Sequence, residues 1–235
     1  MRILFDNKVK NATITASTPN SNYSAENLKS QFLRLKFKSL GVSDIITINF
    51  EYEESVNSFF YGYSNANAMT VKLYSSASVL LNTISVDCTH ENGSAFFEQL
   101  NNVRWITVEA SCPVTEDLYI GGMACGVSYQ QDDPLAALVQ TLDNLSASST
   151  SGEGQVSNRF IEPLKKYQAQ FFEVDKAKYY EVLTQFKDIG TGHIWVDFTE
   201  NNHTYNVPMY ATTKMAESAK KERDVTFNID FTEAR

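Results

Sequence analysis

The side chains able to do chemistry are few, and their spacing argues against catalysis. Three histidines occur: His90 in the turn-like Thr89-His-Glu-Asn-Gly93, His193 in a strand-like run, and His203 beyond an Asn201-Asn202 turn signal. A hydrolytic triad sets histidine beside a nucleophile and an orienting carboxylate. His193 and Asp197 stand four apart on one expected strand, too far along it to touch. No Gly-x-Ser-x-Gly, phosphate-binding glycine loop, dinucleotide fingerprint or His-Glu-x-x-His is present. Gly121-Gly122 with Gly126 lacks a following amphipathic helix, so a tight turn is expected there and not a phosphate cradle. Glu51, Glu53 and Glu54, with Asp44 nearby, fall short of the roughly six to eight oxygens that calcium takes, and read as a solvated hairpin edge. Cys88, Cys112 and Cys125 include no Cys-x-x-Cys pair and read as plain thiols in a chain made in a reducing cytoplasm. The expectation is a protein that is not an enzyme and holds no cofactor and no metal.

Aromatic side chains in end loops are a different matter, because a ring face stacks on a sugar. Tyr23, in the loop Ser17–Ser24, and Tyr61 or Tyr63, before the Asn65-Ala-Asn turn, are the candidates for such contacts. Burial in the core or rim is the competing reading, since tyrosines in a sheet protein need no ligand.

The elements that must position these residues are mostly strands. Fifteen Phe and twelve Tyr in 235 residues favour sheets. Alternation marks Asn11–Ala16, Ile46–Phe50, Met69–Tyr74 with Val79–Val86 as its partner, and Val103–Ala110 after a turn at Asn101-Asn102. Arg34, Lys36 and Lys38 are interspersed with Phe32, Leu35 and Phe37, and read as an outer face. Val56–Tyr63 is an aromatic-rich run, and Leu118–Met123 closes the module. About nine short strands at this spacing imply an antiparallel β-sandwich.

Ser146–Gly154 is small, polar and glycine-containing, the composition of a connector. The chain therefore divides into a sandwich at 1–127, a joint at 128–158 and a smaller α+β module at 159–235. In the second module Leu164–Val174 reads as a strand. Asp175 can cap a helix carrying Tyr179, Val182, Leu183, Phe186 and Ile189, and Gly190 can end it. His193–Phe198 is expected to form a hairpin with His203–Tyr210, 211–224 to be a polar loop, and Val225–Phe231 to be a last alternating strand. Ile194, Val196 and Phe198 would face inward. His193, Trp195 and Asp197 would face outward, and the tryptophan would suit an assembly interface.

The net charge of −8 divides into −3 for residues 1–127 and −5 for the remainder, so neither part is a basic arm and nucleic acid is disfavoured as a partner. No run of about 18 apolar residues is present to cross a membrane as a helix. Met1–Asp6 reads as a first strand, not a signal peptide. Asn-x-Ser/Thr sequons at Asn11, Asn22, Asn92, Asn144 and Asn202 follow from Asn- and Ser-rich loops.

Several segments resemble virion structural proteins of tailed bacteriophages. They are Ile3-Leu-Phe-Asp-Asn7, Ala12-Thr-Ile-Thr-Ala-Ser17, Tyr23-Ser-Ala-Glu-Asn-Leu28, and Ile46-Thr-Ile-Asn-Phe50 with Val56 and Trp105. Tyr119-Ile-Gly-Gly122, Asp133-Pro134, Ser151-Gly-Glu-Gly-Gln-Val156 and Asn158-Arg159 are similar to the joint that follows in such proteins. The resemblance implies a jelly-roll, galactose-binding-like (discoidin-like) sandwich leading to a β module with one helix, as in tail-tip and distal tail proteins. It implies a baseplate or tail role exercised through protein–protein assembly, with other tail proteins as partners, a homo-oligomeric ring, and location in the virion. Ser24 stands where the pattern has proline, and Ser39-Leu-Gly41 lacks its Trp-Arg-like segment; no ligand site is carried over. The alternative function is a carbohydrate-binding module, with glycan as the partner.

Overall fold

The computed structural model describes residues 1–30, 35–130, 139–143, 147–150, 156–159, 164–173, 176–189, 193–198, 209–220 and 225–233. The fold is mainly β, with antiparallel sheets and, among the described residues, one α-helix. Two compact units are present. One takes in Met1–Gln131 and His193–Tyr210, the other Asp132–Gly192 and Ala211–Ala234.

The first unit is built on one antiparallel ribbon, β4 (Ser43–Ser64) against β7 (Gly93–Ser111). The ribbon's register shifts between Asn49 and Glu54, again to Val56, and again to Ser58. Each shift is an irregularity that bends and twists a strand pair. On one side of it β4 also pairs β2 (Thr13–Ala16), and β7 pairs β5 (Ala68–Tyr74), which pairs β6 (Leu80–Val86). On the other side β4 pairs β8 (Tyr119–Gly126), which pairs β3 (Phe37–Lys38). Ile46, Ile48 and Phe50 from one half of β4 lie in the same apolar cluster as Val56, Phe59 and Tyr61 from the other. The ribbon therefore doubles over, and its two halves become the two layers of a sandwich. The sequence suggests breaks at residues 51–55 and at Asn101-Asn102, but both strands run through them. The polar residues there sit at the fold of the ribbon and not in chain reversals.

The β4 half from Phe59 onward is buried on both faces, since Phe59, Phe60 and Tyr61 are consecutive and all inaccessible. A second layer covers its outer face. There β1 (Arg2–Leu4) pairs β14 (Ile194–Asp197) on one edge and β9 (Tyr129–Gln130) on the other. Trp195 is 2% exposed, tilted against Phe60 at 6.1 Å between centroids, and lies over Gly62. A Cβ at Gly62 would stand 3.3 Å from the indole ring, so glycine is what lets the tryptophan approach. Phe60 also meets Phe96 edge-on at 5.7 Å, and the Ser94 hydroxyl donates to the buried Asp197 carboxylate. The expected outward face of Trp195 and Asp197 is corrected here. Every side chain from Ile194 to Phe198 is buried, Trp195 against Phe60 and Asp197 against Ser94, and only His193 keeps partial exposure. On one edge β14 pairs with the chain's start, and on the other it neighbours the strand that begins at Met209, inside the expected hairpin partner His203–Tyr210; residues 199–208 lie outside the described residues.

The buried Asn7 side chain locks the first strand to the sandwich. Its Oδ1 accepts from Val9 N–H (3.0 Å) and Cys125 N–H (3.2 Å), and its Nδ2 donates to the Met123 carbonyl (3.3 Å). These bonds occupy backbone groups that burial would otherwise leave unsatisfied. At Gly126 a Cβ would fall 2.5 Å from the Asp6 carbonyl oxygen, so this crossing also needs glycine.

The second unit pairs β10 (Val139–Asp143), β13 (Leu164–Glu173), β16 (Val225–Glu233) and β15 (Met209–Lys220) in that order. The β16 alternation holds where its side chains are described: Ile229 and Phe231 are fully buried, and Asn228 and Asp230 half-exposed. Most of 211–224, expected as a loop, is strand β15, its polar residues paired along β16. Within the expected joint, β11 (Ala147–Thr150) pairs β12 (Val156–Arg159), so small polar residues there make a ribbon and not an unpaired connector. Helix α1 spans Lys176–Ile189; Val182 is buried, and Leu183 and Phe186 half-buried. Asp175 and Gly190, its expected ends, lie outside the described residues.

Replacing a buried tryptophan by alanine typically costs about 3–5 kcal/mol. Trp195→Ala should therefore lower the unfolding free energy of this unit by that order in a denaturant titration. A loss below about 0.5 kcal/mol would contradict the packing of Trp195 on Phe60 and Gly62.

Candidate functional site

Tyrosines and lysines converge where β4 ends and β8 begins. Lys36 precedes β3, and β3 pairs β8 with Lys38 opposite Tyr119. Two residues apart on an extended chain, Lys36 and Lys38 point to the same side. The Lys36 ammonium sits 4.2 Å from the Tyr63 ring centroid and 3.9 Å from that of Tyr119; the two rings are 6.1 Å apart and tilted by 50°. The Lys38 ammonium lies 4.5 Å over the Tyr23 ring. Backbone bonds hold the Tyr23 loop here, from Lys38 N–H to the Tyr23 carbonyl and from Asn20 N–H to the Lys38 carbonyl. Tyr23 is 39% exposed, and Tyr63 and Tyr119 are half-exposed. Each ammonium is attracted by the negative face of its ring. Among the described residues neither lysine makes an ion pair.

Tyr63 owes its direction to a strained backbone. Its φ of 56° is left-handed, costly for a residue with a side chain. Asn92 helps hold it, its Oδ1 accepting from Tyr63 N–H at 2.7 Å. Asn92 is presented by the turn that precedes β7, and Tyr61 anchors that turn. The Tyr61 hydroxyl lies 3.0 Å from both the Asp87 and His90 carbonyls, and a side chain at Gly93 would overlap its ring. Tyr61 is thus core, contrary to its reading as a loop aromatic. Burial and the neighbouring Cys88 and Asp87 push its hydroxyl pKa well above the usual tyrosine range.

The electrostatics follow from crowding. Burial, then the proximity of Lys38, lowers the Lys36 amine, with Glu91 acting in the opposite direction. Tyr119 is raised by burial, with Tyr63, Glu116 and Glu91 adding to it. His193, half-buried on the N-terminal side of β14, is lowered by burial and by Lys10 and belongs to no such cluster. Of the sequence candidates, the structure brings Tyr23 and Tyr63 to this face and withholds Tyr61, Trp195 and Asp197. Sequence reasoning missed Tyr119, Lys36 and Lys38; the Lys-x-Lys spacing was visible, but not what it would face.

Asp44 secures the loops nearby. Its buried carboxylate accepts from Ser17 N–H (2.8 Å) and hydroxyl (2.5 Å), from the Thr18 hydroxyl (2.9 Å), and from Ile45 N–H (2.8 Å). Burial alone would raise its pKa, but bonds from Ser17, Thr18 and Ser39 outweigh burial and leave it depressed. A groove beside it is lined by Thr18, Asp44, Met69 and Glu109, and among the described residues no three metal-ligating side chains cluster to hold an ion. Glu54, one of the expected acidic edge, instead pairs Lys8 at 3.0 Å.

No protein-family model matches the chain, and no curated protein does. Among solved structures it is similar to chitosan-binding module 1 of a chitosanase/glucanase from Paenibacillus sp. IK-5, at 16% identity, over 52% of this chain and 99% of that one, with a TM-score of 0.44. A fucose-binding module of Streptococcus pneumoniae shares 13% identity over 52% and 94% of the two chains, TM-score 0.45. The lectin domain of Lectinolysin, complexed with Lewis B antigen, shares 13% over 51% and 95%, TM-score 0.44. These likenesses, all at 16% identity or less, bear on the β-sandwich fold alone, and none of the comparisons supports a virion protein.

A carboxylate with a depressed folded-state pKa stabilises the fold above its unfolded value of about 3.9, and that contribution vanishes as pH falls through the folded value. Asp44→Asn should therefore be less stable than the parent at neutral pH and lose less on acidification below about pH 4. Parallel acid limbs in thermal melts of the two would show that Asp44 is not held in this way.

Proposed function

We propose that the sandwich is a carbohydrate-binding module whose glycan lies against Tyr23, Tyr63 and Tyr119, with Lys36 and Lys38 donating hydrogen bonds. The single observation that carries this reading is the face itself, three accessible tyrosine rings and two ammonium groups gathered where strands end. Aromatic rings offer a sugar ring an apolar platform, and the ammonium groups supply donors for its oxygens. The virion role, with its tail partners and ring, rests on sequence resemblance alone and is the competing proposal.

A glycan array probed with the full chain should give a defined set of bound saccharides. Tyr63→Ala and Tyr23→Ala should each weaken that binding by about tenfold or more, equivalent to about 1.4 kcal/mol, with the thermal midpoint little changed for Tyr23. If no saccharide binds and the protein instead forms rings in negative-stain images, the assembly reading replaces this one.

A further inference from the structure

We propose that the saccharide taken by this face is anionic, carrying carboxylate or sulfate groups; this deepens the glycan-binding reading and rests on it.

The polar groups bordering the rings include two ammonium donors, with the Glu91 and Glu116 carboxylates within electrostatic reach of Lys36 and Tyr119. Lysine ammonium groups donate and never accept. The two amides that could have accepted sugar hydroxyls are already engaged. Asn92 Oδ1 accepts from Tyr63 N–H, and Asn65 Oδ1 accepts from Tyr119 N–H at 2.9 Å. Asn65 Nδ2 donates to the Asp117 carbonyl at 3.0 Å and lies 3.3 Å from a Glu116 carboxylate oxygen. A carboxylate or sulfate only accepts, which is what two ammonium groups satisfy.

The positions of the lysines point the same way. Lys36 and Lys38 project to one side, Lys38 close enough to disfavour the charge on Lys36, and among the described residues no carboxylate pairs with either. Glu91 adds an opposing field at Lys36 without forming an ion pair. An anion between the two would relieve their repulsion. The rings hold both ammonium groups in place beforehand, Lys36 between Tyr63 and Tyr119, and Lys38 over Tyr23. Less side-chain freedom is then lost on binding. The chain's net charge of −8 means that these two lysines are not part of a general basic surface.

The test titrates the full chain by calorimetry with an oligogalacturonate and with the same oligosaccharide after reduction of its carboxyl groups, and in a second arm with dextran sulfate and dextran. The acidic member of a pair should bind about tenfold tighter or better, and the advantage should shrink as salt rises from roughly 0.05 to 0.5 M. Preference confined to the first pair assigns a carboxylate ligand, and preference confined to the second a sulfate. Lys36→Gln and Lys38→Gln should each lose about tenfold towards the acidic sugar and so narrow the acidic-to-neutral ratio. Thermal melts verify their folding, and the unmodified protein's acidic-to-neutral ratio decides by itself if either unfolds. Equal binding of acidic and neutral partners overturns the anionic assignment and leaves glycan binding standing. Absence of binding to any saccharide, here and on the array, overturns both.

Discussion

Phe59, Phe60 and Tyr61 are consecutive in one strand, and none of them meets solvent. Because neighbouring side chains in a strand point to opposite faces, this run demands a packed layer on each side. The doubled ribbon supplies the first, with Phe59 and Tyr61 in the sandwich core beside Val71, Ile106 and Ile120. The second comes from both ends of the unit's sequence, with Leu4 from the start and Trp195, its partner across the strand pair, from nearly 200 residues away. Fully burying a large apolar side chain is worth about 1.5–3 kcal/mol, so the outer face of β4 could not be left bare without a large loss. The fine features answer the same requirement. Gly62 makes room for the indole, Gly126 for the Asp6 carbonyl, and Asn7 supplies the hydrogen bonds that the closed layer cuts off from water.

Where one face of a strand is wet, the sequence is easy to read. Ile46-Thr-Ile-Asn-Phe50 alternates and Met69, Val71 and Leu73 alternate, and the structure buries those positions. The same reasoning fails where both faces are covered. Ile194-Trp-Val-Asp-Phe198 has the alternating pattern of a half-wet strand, yet every one of its side chains is buried. Its partner β1 lies at the other end of the sequence, and periodicity carries no information about such distant pairing. Asn101-Asn102 misleads for a related reason. Polar residues at a fold in a long ribbon carry the same composition as a turn between two strands.

The candidate site was half legible. Loop position and aromaticity pick out Tyr23 and Tyr63, and the structure exposes both in part. They also pick out Tyr61, and a regular strand would put Tyr61 and Tyr63 on one face. The left-handed φ at Tyr63 breaks that parity, sending one ring to the core and the other towards Tyr119. A non-glycine residue seldom adopts that conformation, and no residue pattern announces it. The buried ring still serves the site, since Tyr61 holds the turn that delivers Asn92 to Tyr63. Lys36 and Lys38 were visible as a wet strand face; only the pairing of β3 with β8 shows that this face carries tyrosines.

Two of the segments that resemble phage virion proteins have a structural task in this fold. Asn7 bridges the first strand to β8. In the Tyr23-Ser-Ala-Glu-Asn-Leu28 segment, Ser24 Oγ accepts from Glu26 N–H, Glu26 Oε1 accepts from Ile14 N–H, and Asn27 Nδ2 donates to the Lys36 carbonyl. Ala25 and Leu28 are buried beneath the same turn. Ser24, the departure from the pattern's proline, has φ −54° and ψ 151°, a conformation proline itself adopts, so the backbone there is the one the pattern encodes. Residues engaged in this way are required by the frame whatever the frame is used for. The resemblance therefore bears on how the chain folds, and function has to be read from groups the frame leaves free. Around the sandwich end those groups are the accessible tyrosine rings and the two lysines they hold, and a protein that folded without them would lose no hydrogen bond of its core.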